Sequence, residues 1–364
     1  MKKTGGRPPF FRIFEVSMFK KTVSLFIAVT LISQCFLLSS CGKIKEKYSE
    51  YSFDFFDTVT TITGYAESKE EFDEISAYVL SELRDYHCLF DIYKRYDGIE
   101  NLCTINELVE GAHRTVRVDA RIIDMLTYAK EMYEKTGGKV NVAMGSVLSI
   151  WHEYRNKGIN EPWAAELPPM EKLREAAEHT DISSLVIDKE NGTVTITDPE
   201  TKLDVGAIAK GYAVEMVAQG LEKKGVSGYV INVGGNVRTV GAKANGELWT
   251  VGIENPMESE AQPYIAYLKL AGESLVTSGS YQRYYVVDGK RYHHIIDPST
   301  LMPSDGFLSV SILCKSSAMG DALSTALFCM DIESGIALME SIEGAEAMWV
   351  LSDGKTVRTS GFPA

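Results

Sequence analysis

Four short segments of this 364-residue chain hold more glycine and polar residues than packing alone asks for. The first is Lys202-Leu-Asp204-Val-Gly206-Ala207-Ile-Ala-Lys210-Gly211-Tyr212. An acidic residue and a glycine lead into a helical pattern, with a lysine one turn later. Free amides at a helix start favour anions such as phosphate, and Gly206 lets the backbone approach a ligand closely. A capped helix with a solvated lysine is the plainer reading, and the spacing is not that of a P-loop. The second segment, Asn232-Val-Gly234-Gly235-Asn236, is a strand end with a double-glycine turn, which a hairpin alone would explain. The third joins Thr277-Ser278-Gly279-Ser280-Tyr281 to Tyr292-His293-His294-Ile295-Ile296-Asp297-Pro298. Neighbours on a strand point to opposite faces, so only one of the two histidines can serve a given site. Facing a phosphate, it could act as a general acid or base; otherwise it is a hydrogen-bonded structural residue. The fourth segment is Gly320-Asp321-Ala322-Leu323-Ser324-Thr325-Ala326-Leu327. Asp321 and Thr325 stand at i and i+4 and share a helix face. Their carboxylate and hydroxyl are hard oxygen ligands, which magnesium prefers together with water and substrate phosphate. An N-cap aspartate and a packed threonine would account for the same pair.

These segments need elements to hold them. Phe53 to Tyr65 is a β-rich run, and Lys69 to Tyr93 has the apolar spacing of an amphipathic helix. Asp119 to Lys135, Met170 to Glu178, Ala207 to Lys224 and Ala318 to Met330 read as helices. Ser184 to Asp188 and Thr193 to Thr197 flank Asn191-Gly192, a strong hairpin signal. Further strands are expected at 229–233, 237–240, 249–253, 265–270, 284–287, 308–313, 347–351 and 357–359, with 332–341 also ordered. Mixed helices and hairpin-like strands indicate an α+β fold with a largely antiparallel sheet.

The N-terminus stands apart. Lys20 and Lys21 precede an uncharged, mostly apolar run from Thr22 to Leu38, and Leu38-Ser39-Ser40-Cys41-Gly42 follows. Seventeen residues are short for a membrane span, which needs about 20. A basic start, an apolar stretch and small residues before a cysteine describe a signal peptide. The cysteine makes it similar to a bacterial lipobox, in which Cys41 takes lipid. The expected organisation is signal peptide 1–40, with 1–17 an upstream extension, then a lipidated N-terminus and polar stalk 41–52, then one domain over 53–364. The expected location is the extracytoplasmic face of the cell membrane, held by lipid. Residues 1–40 carry six Lys/Arg and one Glu, so their removal takes the formal charge from −13 to −18. So acidic a chain is a poor partner for nucleic acid. Cys88, Cys103, Cys314 and Cys329 show no CxxC spacing, which argues against zinc and for buried thiols.

Taken in order, DVGAIAKGYA (Asp204 to Ala213), INVGGN (Ile231 to Asn236), SGSY (Ser278 to Tyr281), HHIIDP (His293 to Pro298) and DALSTALF (Asp321 to Phe328) resemble the FAD:protein FMN transferases, the ApbE family. Looser matches are Phe56-Asp57-Thr58, where the family usually has Met-Gly-Thr, Asp91-Ile-Tyr93 with Asn106, and Val140 to Gly145. The resemblance implies a T-fold-related α+β architecture and transfer of the FMN half of FAD to a threonine or serine of an acceptor flavoprotein, with release of AMP. A membrane redox subunit would be a natural acceptor. It also implies FAD contacts at Phe56, Tyr93, Ala143, Met144, Gly145, Asp204, Lys210, Ser278 and Ile295. Magnesium would be held by the Ala207 carbonyl, Asp321 and Thr325, and His294 would be the catalytic histidine. Water in place of the acceptor hydroxyl would make the same site an FAD pyrophosphatase. A non-catalytic FAD-binding lipoprotein is a further reading; a generic solute-binding lipoprotein would not need the Asp321/Thr325 helix face.

Overall fold

A computed structural model describes residues 44–108, 114–257 and 261–363. The expected signal peptide and Cys41 lie outside the described residues, as does Lys43 of the expected stalk. The folded unit runs from Lys47 onward. Its centre is an open eight-stranded sheet in the order β1 (Glu46–Phe55), β2 (Thr58–Ala66), β6 (Tyr229–Val233), β7 (Asn236–Val240), β10 (Ser274–Gly279), β13 (Phe307–Cys314), β14 (Glu346–Leu351), β15 (Thr356–Arg358). Every pairing from β2 to β15 is antiparallel. Three small sheets accompany it: β3 (Arg114–Arg117), β5 (Thr193–Ile196) and β4 (Leu185–Asp188); β8 (Trp249–Glu254) with β9 (Tyr264–Leu270); β11 (Tyr284–Val287) with β12 (Lys290–His293). The helices are α1 (Lys69–Phe90), α2 (Leu102–Leu108), α3 (Ala120–Lys135), α4 (Gly145–Asn160), α5 (Met170–Ala177), α6 (Ala209–Lys223), α7 (Ser317–Phe328) and α8 (Ile332–Glu340). The expected α+β, largely antiparallel fold is what forms.

Strand alternation sorts the core. On β13, Val310 and Ile312 turn toward α7 and join Leu323, Leu327, Phe328 and Trp349 of β14. Leu313 turns the other way, under the β8–β9 hairpin with Leu268, Leu270 and Met348, and Leu308 joins it because the register shifts between Phe307 and Ser309. Fully burying such a side chain stabilises the fold by roughly 1.5–3 kcal/mol. Elsewhere Phe72, Val79 and Leu83 of α1 meet Ile62 of β2 and Val214 and Leu221 of α6.

Two helices carry the polar motifs, and they are held closely. α6 and α7 cross at Gly211, where a Cβ would stand 2.4 Å from both the Cβ of Asp321 and the carbonyl oxygen of Ser317. Glu215, buried on α6, accepts the Ser317 N–H at 2.7 Å and the Arg238 Nε at 3.2 Å. The first residue of α7 is thereby pinned to α6 and β7. Burying that carboxylate is tolerable because it is so fully paired.

Several expectations need correction. The stalk read over 41–52 does not extend so far, because from Glu46 the chain is already edge strand β1. The single β-run from Phe53 is split by a turn at Phe56-Asp57 into two strands. The expected helix at Ala207 starts at Ala209. Strand β10 and helix α4 were not foreseen as elements at all. Cys103, Cys314 and Cys329 are buried free thiols, and Cys88 is half-buried.

Candidate functional site

A cavity of about 1110 Å³ is enclosed by the ends of α1, α4, α6 and α7, the β1–β2 turn and the segment after β12. That is ample for a dinucleotide-sized ligand. At its inner end stand Ala207, Lys210, Asp321 and Thr325. Asp321 is 3% exposed; its Oδ2 accepts the Gly211 N–H at 2.7 Å and its Oδ1 lies 3.4 Å from the Lys210 ammonium. The Gly211 amide would otherwise reach back four residues to the Ala207 carbonyl. Its bond to Asp321 leaves that carbonyl with no backbone donor among the described residues. The Thr325 hydroxyl, one turn beyond Asp321 on α7, also faces the cavity. One carboxylate, one hydroxyl and one main-chain carbonyl therefore present oxygens to the same space. Among the described residues no cluster of three His, Cys, Asp or Glu side chains could hold a metal. A cation here would need a site of this mixed, hard-oxygen type.

The two adjacent histidines part company: His293 closes β12 and His294 lies just beyond it. His293 is buried, donates from Nε2 to the Ser304 carbonyl at 2.6 Å and accepts the Ile295 N–H at Nδ1. His294 turns into the cavity, and its buried Nδ1 has no hydrogen-bond partner among the described residues. Burial, then the charges of Arg283, His293, Arg155 and Lys210, push its pKa down to about 3. It is a neutral imidazole with a free nitrogen.

A third group lies on the α4 side. Asp204 is nearly buried, and its Oδ1 accepts the Gly206 N–H at 2.9 Å. Asn106 fixes the preceding residue through both main-chain groups of Leu203, at 2.9 and 2.7 Å. The His152 Nε2 is 3.9 Å from Asp204, and its Nδ1 meets the Tyr93 hydroxyl at 2.8 Å. Burial holds the His152 pKa below its usual value although Asp204 opposes it, so the two are not a full ion pair. Tyr93 is 66% exposed and stands at the cavity's rim. Phe56, Met144, Ser278 and Ile295 also line the space, and the Ser278 and Ser324 hydroxyls are 2.7 Å apart.

Ala143 and Gly145 do not. Ala143 is wholly buried in the main core. Gly145 opens α4, donates its N–H to the Lys202 carbonyl, and would drive a Cβ to 2.5 Å from that oxygen. The small size of Gly145 serves packing of α4 on the 202–203 segment, and neither residue lines the cavity with a side chain. The sequence reading also passed over His87, His152, Arg155 and Arg283, all of which line the cavity. His152 and Arg155 had a legible signal: they share a face of α4, whose Val147, Ile150, Trp151 and Tyr154 follow helical spacing. His87 and Arg283 had none.

Comparison with known proteins places this geometry. The ApbE family model matches residues 56–349, which includes every cavity-lining residue named above. A FAD:protein FMN transferase of Klebsiella pneumoniae is 32% identical over 282 residues, 75% of this chain and 84% of its own length. One from Treponema pallidum is 33% identical, covering 67% of this chain and 69% of that one. The crystal structure of the ApbE protein of Thermotoga maritima superimposes with a TM-score of 0.75 at 29% identity, covering 87% of this chain and 98% of that one. The flavin transferase ApbE of Vibrio cholerae, at 24% identity and a TM-score of 0.71, shares the fold. A family model spanning the whole cavity, with relatives alike over most of their own length, leaves one assignment: the chain belongs to the ApbE family.

Proposed function

We propose that the chain is a transferase that moves the FMN half of FAD onto a threonine or serine hydroxyl of an acceptor protein, with magnesium as its metal and AMP as the second product. The observation that carries this reading is the meeting of Lys210, Asp321, Thr325 and the unpartnered His294 nitrogen in one cavity. The fit to magnesium rests on the donor set. The Ala207 carbonyl is excluded from the helix ladder, and Asp321 and Thr325 offer hard oxygens beside it. Bound there, the ion would neutralise phosphoryl oxygens as charge builds on them.

The chain's own residues supply the rest. Lys210, now turned to Asp321, is placed to meet a diphosphate. Arg155 and Arg283 add positive charge to the cavity of an otherwise acidic protein and draw an anionic ligand in. His294 is neutral and can accept the proton of an acceptor hydroxyl, a contribution of about 10²–10⁴-fold for a well-placed base. Burial is the main cause of its lowered pKa, and a bound diphosphate would offset only the smaller, cationic part. Asp204, Tyr93, Met144, Phe56, Ser278 and Ile295 form the remaining walls around the dinucleotide.

Cys41 would carry the lipid that tethers the enzyme outside the cytoplasmic membrane, beside exported redox subunits that bear the acceptor residue. The test is mass spectrometry of an acceptor protein incubated with this chain, FAD and magnesium. One FMN-sized adduct on a threonine or serine, absent with Asp321→Ala, is the expected result. AMP and free FMN without any adduct would make the protein a hydrolase instead. FAD binding with neither product would leave only a flavin-binding role.

A further inference from the structure

The turn at Phe56-Asp57 is unusual for its residues. Both have positive φ, 54° and 50°, the backbone that a two-residue type I′ hairpin turn requires. Glycine and asparagine adopt it readily; an aromatic residue there is strained. The turn is also a wall of the cavity, since Phe56, Asp57 and Thr58 all line it.

Two side chains from distant segments grip it. The Phe56 N–H donates to the Nδ1 of His87, near the end of α1, at 3.3 Å. The Arg283 guanidinium, just before β11, donates to the Phe56 carbonyl at 3.3 Å and the Asp57 carbonyl at 3.2 Å. His87 is itself fixed. Its Nδ1 accepts, so its Nε2 carries the proton and faces the Tyr96 oxygen at 3.3 Å, while the Tyr96 hydroxyl donates to Asp91 at 2.9 Å. The Phe56 ring stands edge-on to the His87 ring, with centroids 5.4 Å apart. Three main-chain groups of a strained turn are thus taken by two side chains.

We propose that His87 and Arg283 are positioning residues that hold the Phe56-Asp57 turn in its left-handed form, so that Phe56 presents its ring to the bound flavin nucleotide. The identity of that ligand rests on the function proposed above; the clamp itself rests on the turn's geometry. His87 acts through the turn alone, so loosening the clamp at His87 changes binding and leaves the chemical step alone; Arg283 also contributes charge to the cavity.

Four proteins test it: the wild type, His87→Asn, His87→Leu, and His87→Leu combined with Asp57→Gly. Each is titrated with FAD by flavin fluorescence, assayed for transfer, and melted without ligand. His87→Asn keeps an acceptor for the Phe56 N–H and should stay within about twofold of wild type. His87→Leu should weaken FAD binding about tenfold and lower Tm, with kcat at saturating FAD nearly unchanged. Adding Asp57→Gly, which makes the left-handed turn intrinsically favourable, should recover most of both losses. Wild-type affinity and Tm in His87→Leu, or a double variant as impaired as the single one, would overturn the proposal. If the wild type bound no FAD, the flavin reading would fall, and the ligand-free order of Tm values would still decide for or against the clamp.

Discussion

The two ends of the cavity are built on different principles. The inner end, with Lys210 and Asp321, sits where α6 and α7 press together at Gly211 over a fully packed core. Its geometry is set by close contact and by the buried Glu215 tie. The outer end, with Phe56, Tyr93 and Arg283, is a turn and loops held by a handful of side-chain hydrogen bonds. Packing leaves the inner groups no alternative arrangement, whereas the outer groups depend on a few polar contacts that can be broken one at a time. In the proposed function the charge-handling chemistry would fall on the rigid side and recognition on the adjustable side.

If that contrast is right, damage at the inner end should strike the rate or the fold and damage at the rim should strike affinity. The largest effect is expected from Asp321→Ala, which removes the carboxylate paired with Lys210: transfer should fall by about 10²–10³-fold at saturating FAD and magnesium. Rates within tenfold of wild type would show that the α6–α7 crossing is not where the charge is handled. Next comes Gly211→Ala, whose Cβ collides with Asp321 and Ser317; chemical denaturation should register a loss of about 3 kcal/mol. Acid should act on the same end through His294. Its folded pKa is lowered, so the unfolded chain binds the extra proton, and stability falls as pH drops from about 6.5 toward 3. At pH 4.5 that loss is about 2 kcal/mol relative to pH 7, and His294→Leu should remove it from the pH–stability curve. The smallest change belongs to the rim: Phe56→Ala should raise KM for FAD about tenfold and leave kcat in place. A fall in kcat of similar size would erase the distinction between the ends.

How much of this was readable beforehand follows the same division. Strand 229–233 and the hairpin around Asn191-Gly192 form as the alternation and turn residues indicate. Asp321 and Thr325 share a helix face because an i, i+4 relation is local; His293 and His294 diverge as expected, although the strand ends at His293 and a bend at His294 turns the second ring. β10 escaped notice because a short strand in the middle of a sheet, Ser-Leu-Val-Thr-Ser-Gly, has no one-sided pattern. Residues 46–52 of the edge strand β1 look like stalk in the sequence because they are largely polar and one flank of the strand has no partner among the described residues. Arg283 lies 227 positions from the carbonyl it holds, and no spacing rule connects them. At Gly145 the sequence does not distinguish a glycine needed for close packing from one needed for a ligand, because the two look alike. Only the nearby Lys202 carbonyl separates the two.

The unpaired Ala207 carbonyl has a thermodynamic corollary. A carbonyl just before a helix that has no donor among the described residues is a gap that a bound cation would fill. Ion uptake and folding then become linked equilibria: at a hundred times its dissociation constant, an ion that binds only the native chain adds about 2.7 kcal/mol to stability. Resistance to heat would therefore report how much metal the surroundings provide, even in the absence of any flavin.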